Sequence, residues 1–306
     1  MIPMELLVTL TVAAAFYVAI PGAGAFVVRR RWRQFREALL ISHAAPPLRY
    51  GVSSKSSRDR VYRFFGQLEA IQRDHTIWVG DHTLSVKVSL DGVPVFVMPR
   101  TNPDGAGPTD ETPRVLYWKE LTALAEGTDV FVGGSIIDDQ GSIRVNSGPF
   151  GVPLVMIFDG PAEALFSRAM WAGRQRNEYW NHLTPISLIG GFVAELLWAV
   201  NLSGQSRLHT VVALVMALTP LLPLFPPGVI GFYWYRRLWR RARRIRAHRD
   251  LAMLRNRAHD ELPLRYGQRS LSRIATRWEL AAVTLLLGAI GINGYFSAVL
   301  FALLMQ

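Results

Sequence analysis

The sequence predicts an α+β membrane protein with four transmembrane helices and one inserted β-rich domain. Two observations support this prediction. Four hydrophobic stretches are long enough to cross about 30 Å of hydrocarbon, which needs about 20 helical residues; they cover residues 6–28, 184–202, 208–235 and 280–305. Residues 61–159 alternate short runs of β-branched and aromatic residues with turn-forming pairs, a pattern typical of strands.

These stretches divide the chain into six parts. We predict a first transmembrane helix with a basic flank at 1–36, a soluble β domain resembling an oligonucleotide/oligosaccharide-binding (OB) barrel at 37–160, a juxtamembrane helix at 161–183, a transmembrane hairpin at 184–235, a cytoplasmic arginine-rich amphipathic arm at 236–278 and a fourth transmembrane helix at 279–306.

Composition narrows the possible chemistry. The 306 residues include no cysteine, which excludes disulfides, thiolate metal sites and cysteine nucleophiles. The net charge of +11 comes from one segment. Residues 236–277 hold fourteen arginines and three acidic residues, a net charge of +11, so the rest of the chain is neutral overall. No Walker loop, HExxH, GxSxG or dinucleotide-binding motif is present in the sequence. We therefore predict that the protein is not an enzyme and has no cofactor or bound metal.

The arginines also predict the orientation in the membrane, since basic loops stay on the cytoplasmic side. Five of them directly follow the first stretch, namely Arg29, Arg30, Arg31, Arg33 and Arg36. We expect both termini outside the plasma (inner) membrane, with the β domain and the arginine-rich arm in the cytoplasm. The alternative is a signal peptide cleaved near residues 23–25, which would place the β domain outside the cell. The missing basic n-region and the arginines that follow argue against it.

A duplicated pattern is the most specific feature of the chain. Residues 21–33 (PGAGAFVVRRRWR) recur with one insertion at 227–240 (PGVIGFYWYRRLWR), and PLRYG occurs at both 47–51 and 263–267. Anchoring at the membrane interface explains the Trp and Arg residues, but it does not explain why PLRYG occurs twice. We therefore predict two parallel copies of one helix pair, with the β domain inserted in the first copy. Arg49 and Tyr50 then correspond to Arg265 and Tyr266, and the two tyrosines should occupy pseudo-symmetric places.

Within the β domain we predict strands at 62–71, 76–79 continuing through 84–90, 93–98, 129–137, 143–146 and 153–158, and a helix at 117–125. Three strands, a helix and further strands are the order of an OB barrel. Phe64, Phe65, Trp78 and Phe96 could stack on nucleic-acid bases, but their alternating positions favour the core. Residues 37–183 contain 14 basic and 17 acidic residues, which would repel phosphates. We therefore predict no nucleic-acid partner.

One segment resembles a known family. Residues 126–137 (EGTDVFVGGSII), followed by GSIRV at 141–145, resemble the end of the GIDE (BAM) domain of MULAN-type membrane ubiquitin ligases. The resemblance covers residues 125–180 and implies a domain placed between two transmembrane helices. That family ends in a zinc-binding RING, whereas this chain has no cysteine. Ligase activity is therefore not implied.

Two features of the apolar stretches are candidates for function. Glu195 lies inside the second stretch, where an ionisable side chain is costly and is by default a functional candidate. The alternative is a protonated or paired Glu packed against other helices, near Asn201 or Asn293. The third stretch contains Pro220, Pro223, Pro226 and Pro227, which should kink it. Such breaks can line a transport site, although structural kinks are commoner.

The remaining candidates lie outside the apolar stretches. We expect five arginines of the arm to contact anionic lipid headgroups: Arg236, Arg237, Arg240, Arg241 and Arg244. The segment before the second stretch contains four side chains able to form specific hydrogen bonds: Arg174, Arg176, Asn177 and Glu178. This is more than anchoring at the membrane interface requires. We therefore expect a partner or inter-repeat contact there, with interface anchoring as the alternative. Two Asp-His pairs, at 74–75 and 81–82, could gather a metal, but turn capping explains them better.

These observations favour a non-enzymatic membrane scaffold or adaptor, whose cytoplasmic OB-like domain binds a protein partner or complex. The protein itself would contact anionic lipids and could form a homo-oligomer. The alternative is a small oligomeric transporter or channel subunit that uses Glu195 and the broken third stretch.

Overall fold

The computed structural model describes residues 3–49, 60–72, 74–100, 111–139, 142–148, 151–204, 206–258 and 265–304. The chain folds into two compact units. The helical unit comprises Met1–Arg31, Asn177–Ile245 and Ser270–Gln306. The β unit comprises Trp32–Arg176 and Arg246–Arg269.

Seven α-helices lie in the described part of the chain: α1 (Met4–Ala14), α2 (Ile20–Ala44), α3 (Leu165–Gln175), α4 (Leu183–Leu202), α5 (Arg207–Leu218), α6 (Pro226–Ala258) and α7 (Arg265–Leu304). Three helical stretches are long and apolar enough to cross a membrane: Met4–Ala44, Leu183–Leu202 and Arg269–Leu304. Most of their apolar side chains are not covered by the rest of the protein, as expected for helices that face lipid. These features indicate a membrane protein.

The predicted third span is not one continuous helix. It contains α5, a 3₁₀ turn at Leu222–Leu224 and the first turns of α6. The cause lies in its prolines, which have no backbone N–H and clash with the preceding turn. The 12 residues of α5 reach only about 18 Å at 1.5 Å per residue. A fourth membrane crossing therefore stays a prediction.

A second proline has a different effect in the first span. Pro21 lies in the first turn of α2, directly after a π-helical turn at Ala15–Ala19 that joins α1 to α2. A proline inside a helix leaves a carbonyl of the preceding turn without its amide donor. The wider π turn accommodates the ring without ending the helix.

The eight strands of the β unit are β1 (Val61–Gln72), β2 (Thr76–Gly80), β3 (Ser85–Ser89), β4 (Val95–Val97), β5 (Arg114–Leu116), β6 (Asp129–Asp139), β7 (Ser142–Ser147) and β8 (Leu154–Ile157). They form one sheet in the order β1-β2-β3-β7-β6-β8-β4-β5. Because β1 also pairs with β6, five strands close into a ring: β1, β2, β3, β7 and β6. The β3–β7 and β4–β8 pairs are parallel, and the others are antiparallel.

The core of the β unit follows from alternation along the strands. In β3, Val86 and Val88 are fully buried while Lys87 between them is half-buried, so the valines point inward. Phe64 and Val79 join them from neighbouring strands. One face of α3 packs on this unit, with the ring of Phe166 5.0 Å from that of Phe131.

Three details of the β unit differ from the sequence prediction. The predicted strand at 76–90 is two strands joined by a turn, in which His82 adopts a positive φ of 70°. The predicted helix at 117–125 is a 3₁₀ helix at Trp118–Ala123. Strand β5 was not predicted, since it has only three residues and follows a polar segment. The predicted turn at Asp91-Gly92 is present, and Gly92 has the positive φ of 66° that glycine tolerates.

The structure describes only part of the repeat. Pro21 and Pro227 each lie in the first turn of a long helix, α2 and α6. Pro47 bridges to Arg63 of β1, whereas Tyr50 and residues 263–264 lie outside the described residues. Only the backbone of Arg265 and Tyr266 is described, at the start of α7. The duplication and the pseudo-symmetric tyrosines therefore stay predictions.

Candidate functional site

Four of the five buried residues of helix α4 form one narrow stripe in the helical unit: Ser187, Gly191, Glu195 and Ala199. Their spacing of four places them on one face of the helix. This face packs against α1, the π turn and α5. Glu195 is the only ionisable residue of α4, and the other residues of this stripe have small side chains.

Glu195 is fully buried, with 0% of its surface exposed. Neither carboxyl oxygen has a hydrogen-bond partner among the described residues. The backbone amide of Ala13 approaches the carboxyl, but without the geometry of a hydrogen bond. The sequence suggested Asn201 or Asn293 as partners, but Asn201 is exposed and the Asn293 amide donates to the carbonyl of Leu222 at 2.7 Å.

Tyr17, in the π turn, faces the same place. Its hydroxyl is buried and also has no hydrogen-bond partner in the described part of the chain, and it is close enough to Glu195 for the two groups to interact electrostatically. The ring packs against Gly191, where an added Cβ would come within 2.5 Å of a ring carbon. Gly191 is therefore required for this close approach of α4 to the π turn.

A line of polar contacts continues from Glu195 along the same interface. The indole N–H of Trp198 donates to the hydroxyl of Thr9 at 3.1 Å. One turn further along α1, the carboxylate of Glu5 lies 3.9 Å from Nδ1 of His209 on α5. Glu5, Thr9, Ala13 and Tyr17 follow at intervals of four, so they form one seam. We call these contacts the α1/α4 seam.

Sequence reasoning found Glu195 but not its surroundings. Tyr17, Thr9 and Trp198 are common residues in a membrane helix and carry no motif. The available signals were the spacing of four from Glu5 to Tyr17 and the proline four residues after Tyr17.

Arg174, a predicted partner residue, lies in a buried ion-pair cluster of the β unit. Its Nε donates to Asp250 of α6 at 2.5 Å, and the guanidinium of Arg249 contacts the other Asp250 oxygen at 2.8 Å. Asp250 is only 4% exposed. Nearby, the ring of Trp171 lies 5.3 Å from that of His248. Arg174 thus joins α3 to the arginine-rich arm within the protein itself.

The neighbouring candidates are placed differently. Arg176 and Arg49 are exposed. The side chain of Asn177, also exposed, accepts a hydrogen bond from the Tyr179 amide at 3.2 Å. Glu178 lies near Arg243 of α6, so it too has a charged neighbour within its own unit. Tyr50 lies outside the described residues, and the side chains of Arg265 and Tyr266 are not described.

All five predicted headgroup arginines are exposed on α6: Arg236, Arg237, Arg240, Arg241 and Arg244. Three of them lie over aromatic rings, with Arg241 4.5 Å from the Trp278 ring centre, Arg237 5.5 Å from Trp234 and Arg236 5.9 Å from Phe232. Aromatic and basic side chains that alternate along a helix beside an apolar segment are typical of a membrane interface.

The outer face of the sheet carries a further cluster in the β unit. Trp78 of β2 is paired in register with Lys87 of β3, which is paired with Arg144 of β7. All three side chains are half-buried, so Trp78 is not in the core as its alternation suggested. Phe64 is buried, Phe65 packs on Phe131, and Phe96 packs on Phe35. None of these three phenylalanines is therefore a free stacking surface.

The Asp-His pairs are turn residues. The Asp81 carboxylate accepts hydrogen bonds from the Thr83 hydroxyl at 2.7 Å and from the amides of Thr83 and Leu84. Partial burial by itself raises the pKa of Asp81, but these hydrogen bonds together lower it below its ordinary value. Nδ1 of His75 lies 3.6 Å from a carboxylate oxygen of Asp91. No group of three potential metal ligands occurs in the part of the chain that the structure describes.

Comparisons with known proteins add no assignment. No family model, no curated protein and no solved structure matches the chain.

Proposed function

We propose that the protein is a non-enzymatic membrane scaffold whose β unit binds a protein partner at the membrane surface. The observation that carries this proposal is the topology of the β unit. Its five-stranded ring has the order β1-β2-β3-β7-β6 and contains one parallel pair, β3–β7. A helical turn lies between β3 and β6. These features support an OB-like barrel, a fold that commonly serves as a binding module.

The binding surface we propose is the outer face of β2, β3 and β7. OB barrels use the face of their second and third strands for ligands, and here that face carries Trp78, Lys87 and Arg144. An aromatic residue beside two basic ones suits an acidic protein segment, since Trp and Arg are the residues that most often dominate interface energies. Nucleic acid is disfavoured by the acidic excess of residues 37–183.

The helical unit supplies the membrane anchor in this proposal. Long apolar helices hold the chain in the bilayer, and the exposed arginines of α6 contact anionic headgroups. Each such arginine contributes about 1 kcal/mol near an anionic surface. We further propose the plasma (inner) membrane, with the β unit and the basic part of α6 on the cytoplasmic side, from the arginine distribution.

Affinity purification in mild detergent tests the proposal, with Trp78→Ala and Lys87→Glu compared against Arg114→Glu. Arg114 is exposed on β5, at the other end of the sheet order, so it provides a matched charge reversal. We expect one defined protein to co-purify with wild type and with Arg114→Glu. Its recovery should fall about tenfold with Trp78→Ala. A protein that purifies alone, or equal recovery with all variants, would contradict the proposal.

A small transporter or channel subunit is the second candidate, and one observation favours it. Glu195 is a buried, unbonded carboxyl in an apolar helix, which is the setting in which membrane carboxyls bind or relay ions. Four or fewer spans would require an oligomer. Reconstituted vesicles should then conduct protons or small cations, with flux lost in Glu195→Gln. Absence of flux in every oligomeric form would exclude this candidate.

A further inference from the structure

We infer that Glu195, Tyr17 and the π turn form a protonation site in the helical unit, at which the Glu195 carboxyl binds and releases one proton. The inference does not depend on the scaffold proposal. It deepens the transport alternative by naming the ligand, and the site would remain if no transport were found.

The first argument is the lack of a fixed partner. A structural glutamate in an apolar interior is normally held by a base or by hydrogen bonds. Both carboxyl oxygens of Glu195 are buried without one in the described part of the chain. An ionised carboxylate in this place is unfavourable, so the neutral acid is the form that this packing accommodates. Because the packing stabilises only the neutral carboxyl, a rearrangement that admits water or a hydrogen-bond donor would allow Glu195 to release its proton.

The second argument is that the π turn offers a potential partner to each protonation form. Pro21 removes one amide donor, so a carbonyl of the π turn can accept a hydrogen bond from the protonated carboxyl. The Tyr17 hydroxyl, buried and unbonded, can donate to the carboxylate instead. Unwound or irregular helix segments serve the same purpose at proton and sodium sites of transporters.

The third argument is access. The α1/α4 seam leads from Glu195 past the Thr9–Trp198 hydrogen bond to the Glu5–His209 pair. Glu5 is partly exposed, with 40% of its side chain accessible, so the seam ends at solvent or headgroups. The proton released by Glu195 passes to water or headgroup oxygens beside Glu5, so the O–H bond of the acid breaks and one bond from the proton to that acceptor forms.

Few other charges face the site. Among the described residues of the elements packed on α4, the titratable or charged groups are Glu5 on α1, Tyr17 in the π turn, and Arg207 and His209 on α5. Arg207 is exposed and His209 is engaged with Glu5. Of these groups, Tyr17 should therefore have the largest effect on the pH at which Glu195 releases its proton.

Labelling with dicyclohexylcarbodiimide tests the inference, because this apolar reagent modifies protonated carboxyls in lipid. The full-length protein in lipid nanodiscs is labelled from about pH 5 to about pH 9, and the modified residue is identified by mass spectrometry. We expect labelling at Glu195 that declines as the pH rises. Glu279 of α7, which lies near Arg243, is the internal control and should remain unlabelled.

Two variants complete the test. Glu195→Gln should abolish labelling while leaving the protein monodisperse. Tyr17→Phe should move the labelling midpoint to higher pH by about one unit, because it removes the donor that stabilises the carboxylate. No labelling of Glu195 at any pH, or equal labelling at every pH, would overturn the protonation site. An unchanged midpoint in Tyr17→Phe would overturn the assignment of Tyr17.

Discussion

Asp250 of α6 and Glu195 of α4 are both acidic, both buried and both located in long helices, yet their surroundings are opposite. Asp250 contacts two guanidinium groups, those of Arg174 and Arg249. Glu195 lies beside Tyr17 and has no base next to it, and neither of its oxygens is bonded to any described residue. A charged acid buried with its bases holds helices together, whereas an unbonded acid does not stabilise the fold and is a candidate for proton exchange.

The largest expected effect is at the paired acid. Asp250→Ala removes a buried carboxylate that contacts the largely covered guanidinium groups of both Arg174 and Arg249, so we expect the free energy of unfolding to fall by about 3–5 kcal/mol. Chemical unfolding of the purified protein in detergent measures this change. Glu111→Ala, at an exposed position, is the control and should change stability by less than about 0.5 kcal/mol. A loss below about 1 kcal/mol for Asp250→Ala would show that the cluster is not structural.

The next effect concerns the packing beside Glu195. Gly191→Ala places a methyl group against the Tyr17 ring, at 2.5 Å in the present packing, so we expect a loss of about 1–3 kcal/mol. Gly288→Ala in α7 is the matched control, because nothing lies within 4 Å of its added Cβ. The same unfolding measurement should show Gly288→Ala neutral or stabilising by up to about 1 kcal/mol. Equal effects of the two substitutions would contradict the close contact of α4 and the π turn.

Asp81 provides an intermediate case, an acid held by hydrogen bonds rather than by bases. Asp81→Ala should cost about 1 kcal/mol at neutral pH. Because the native pKa of Asp81 is lowered from 3.8, its stabilisation is present above about pH 4 and is lost as the pH falls through the native value. The stability difference between wild type and Asp81→Ala should therefore shrink in acid, whereas that of Glu126→Ala, an exposed control, should stay near zero. A difference that grows in acid would contradict this assignment.

The smallest expected effect is at the unbonded acid. Glu195→Gln has nearly the shape of the neutral acid and breaks no bond with a described residue, so stability at neutral pH should change by less than about 0.5 kcal/mol. The same unfolding measurement checks this value. A loss comparable to that of Asp250→Ala would mean that Glu195 is held by a strong partner, and the contrast between the two acids would disappear.

Much of the β unit was predictable because local patterns determine it. Strands β1, β6 and β8 were predicted to within two residues, since alternating β-branched and aromatic residues end at clear turns. The turn between β2 and β3 was missed, because His82 adopts a positive φ that histidine seldom shows. Trp78 was assigned to the core because alternation identifies two faces of a strand but not which of them is covered.

In the helical unit, the sequence predicted where the apolar stretches lie better than it predicted where the helices are interrupted. The four prolines from Pro220 to Pro227 were recognised as a disturbance, and the structure shows a full break between α5 and α6. Glu195 was found from its position in an apolar stretch. Its approach to Tyr17 was not, because this contact depends on how α4 packs on the π turn and on Gly191, which no local pattern reveals.

The contrast between the two buried acids can be measured directly by infrared spectroscopy of the protein in lipid. We predict that the wild-type spectrum at neutral pH contains the C=O stretching band of a protonated carboxyl in an apolar environment, and that Glu195→Gln removes this band. A spectrum without such a band, or a band that persists in Glu195→Gln, would contradict the claim that Glu195 is the neutral, exchangeable acid of the helical unit.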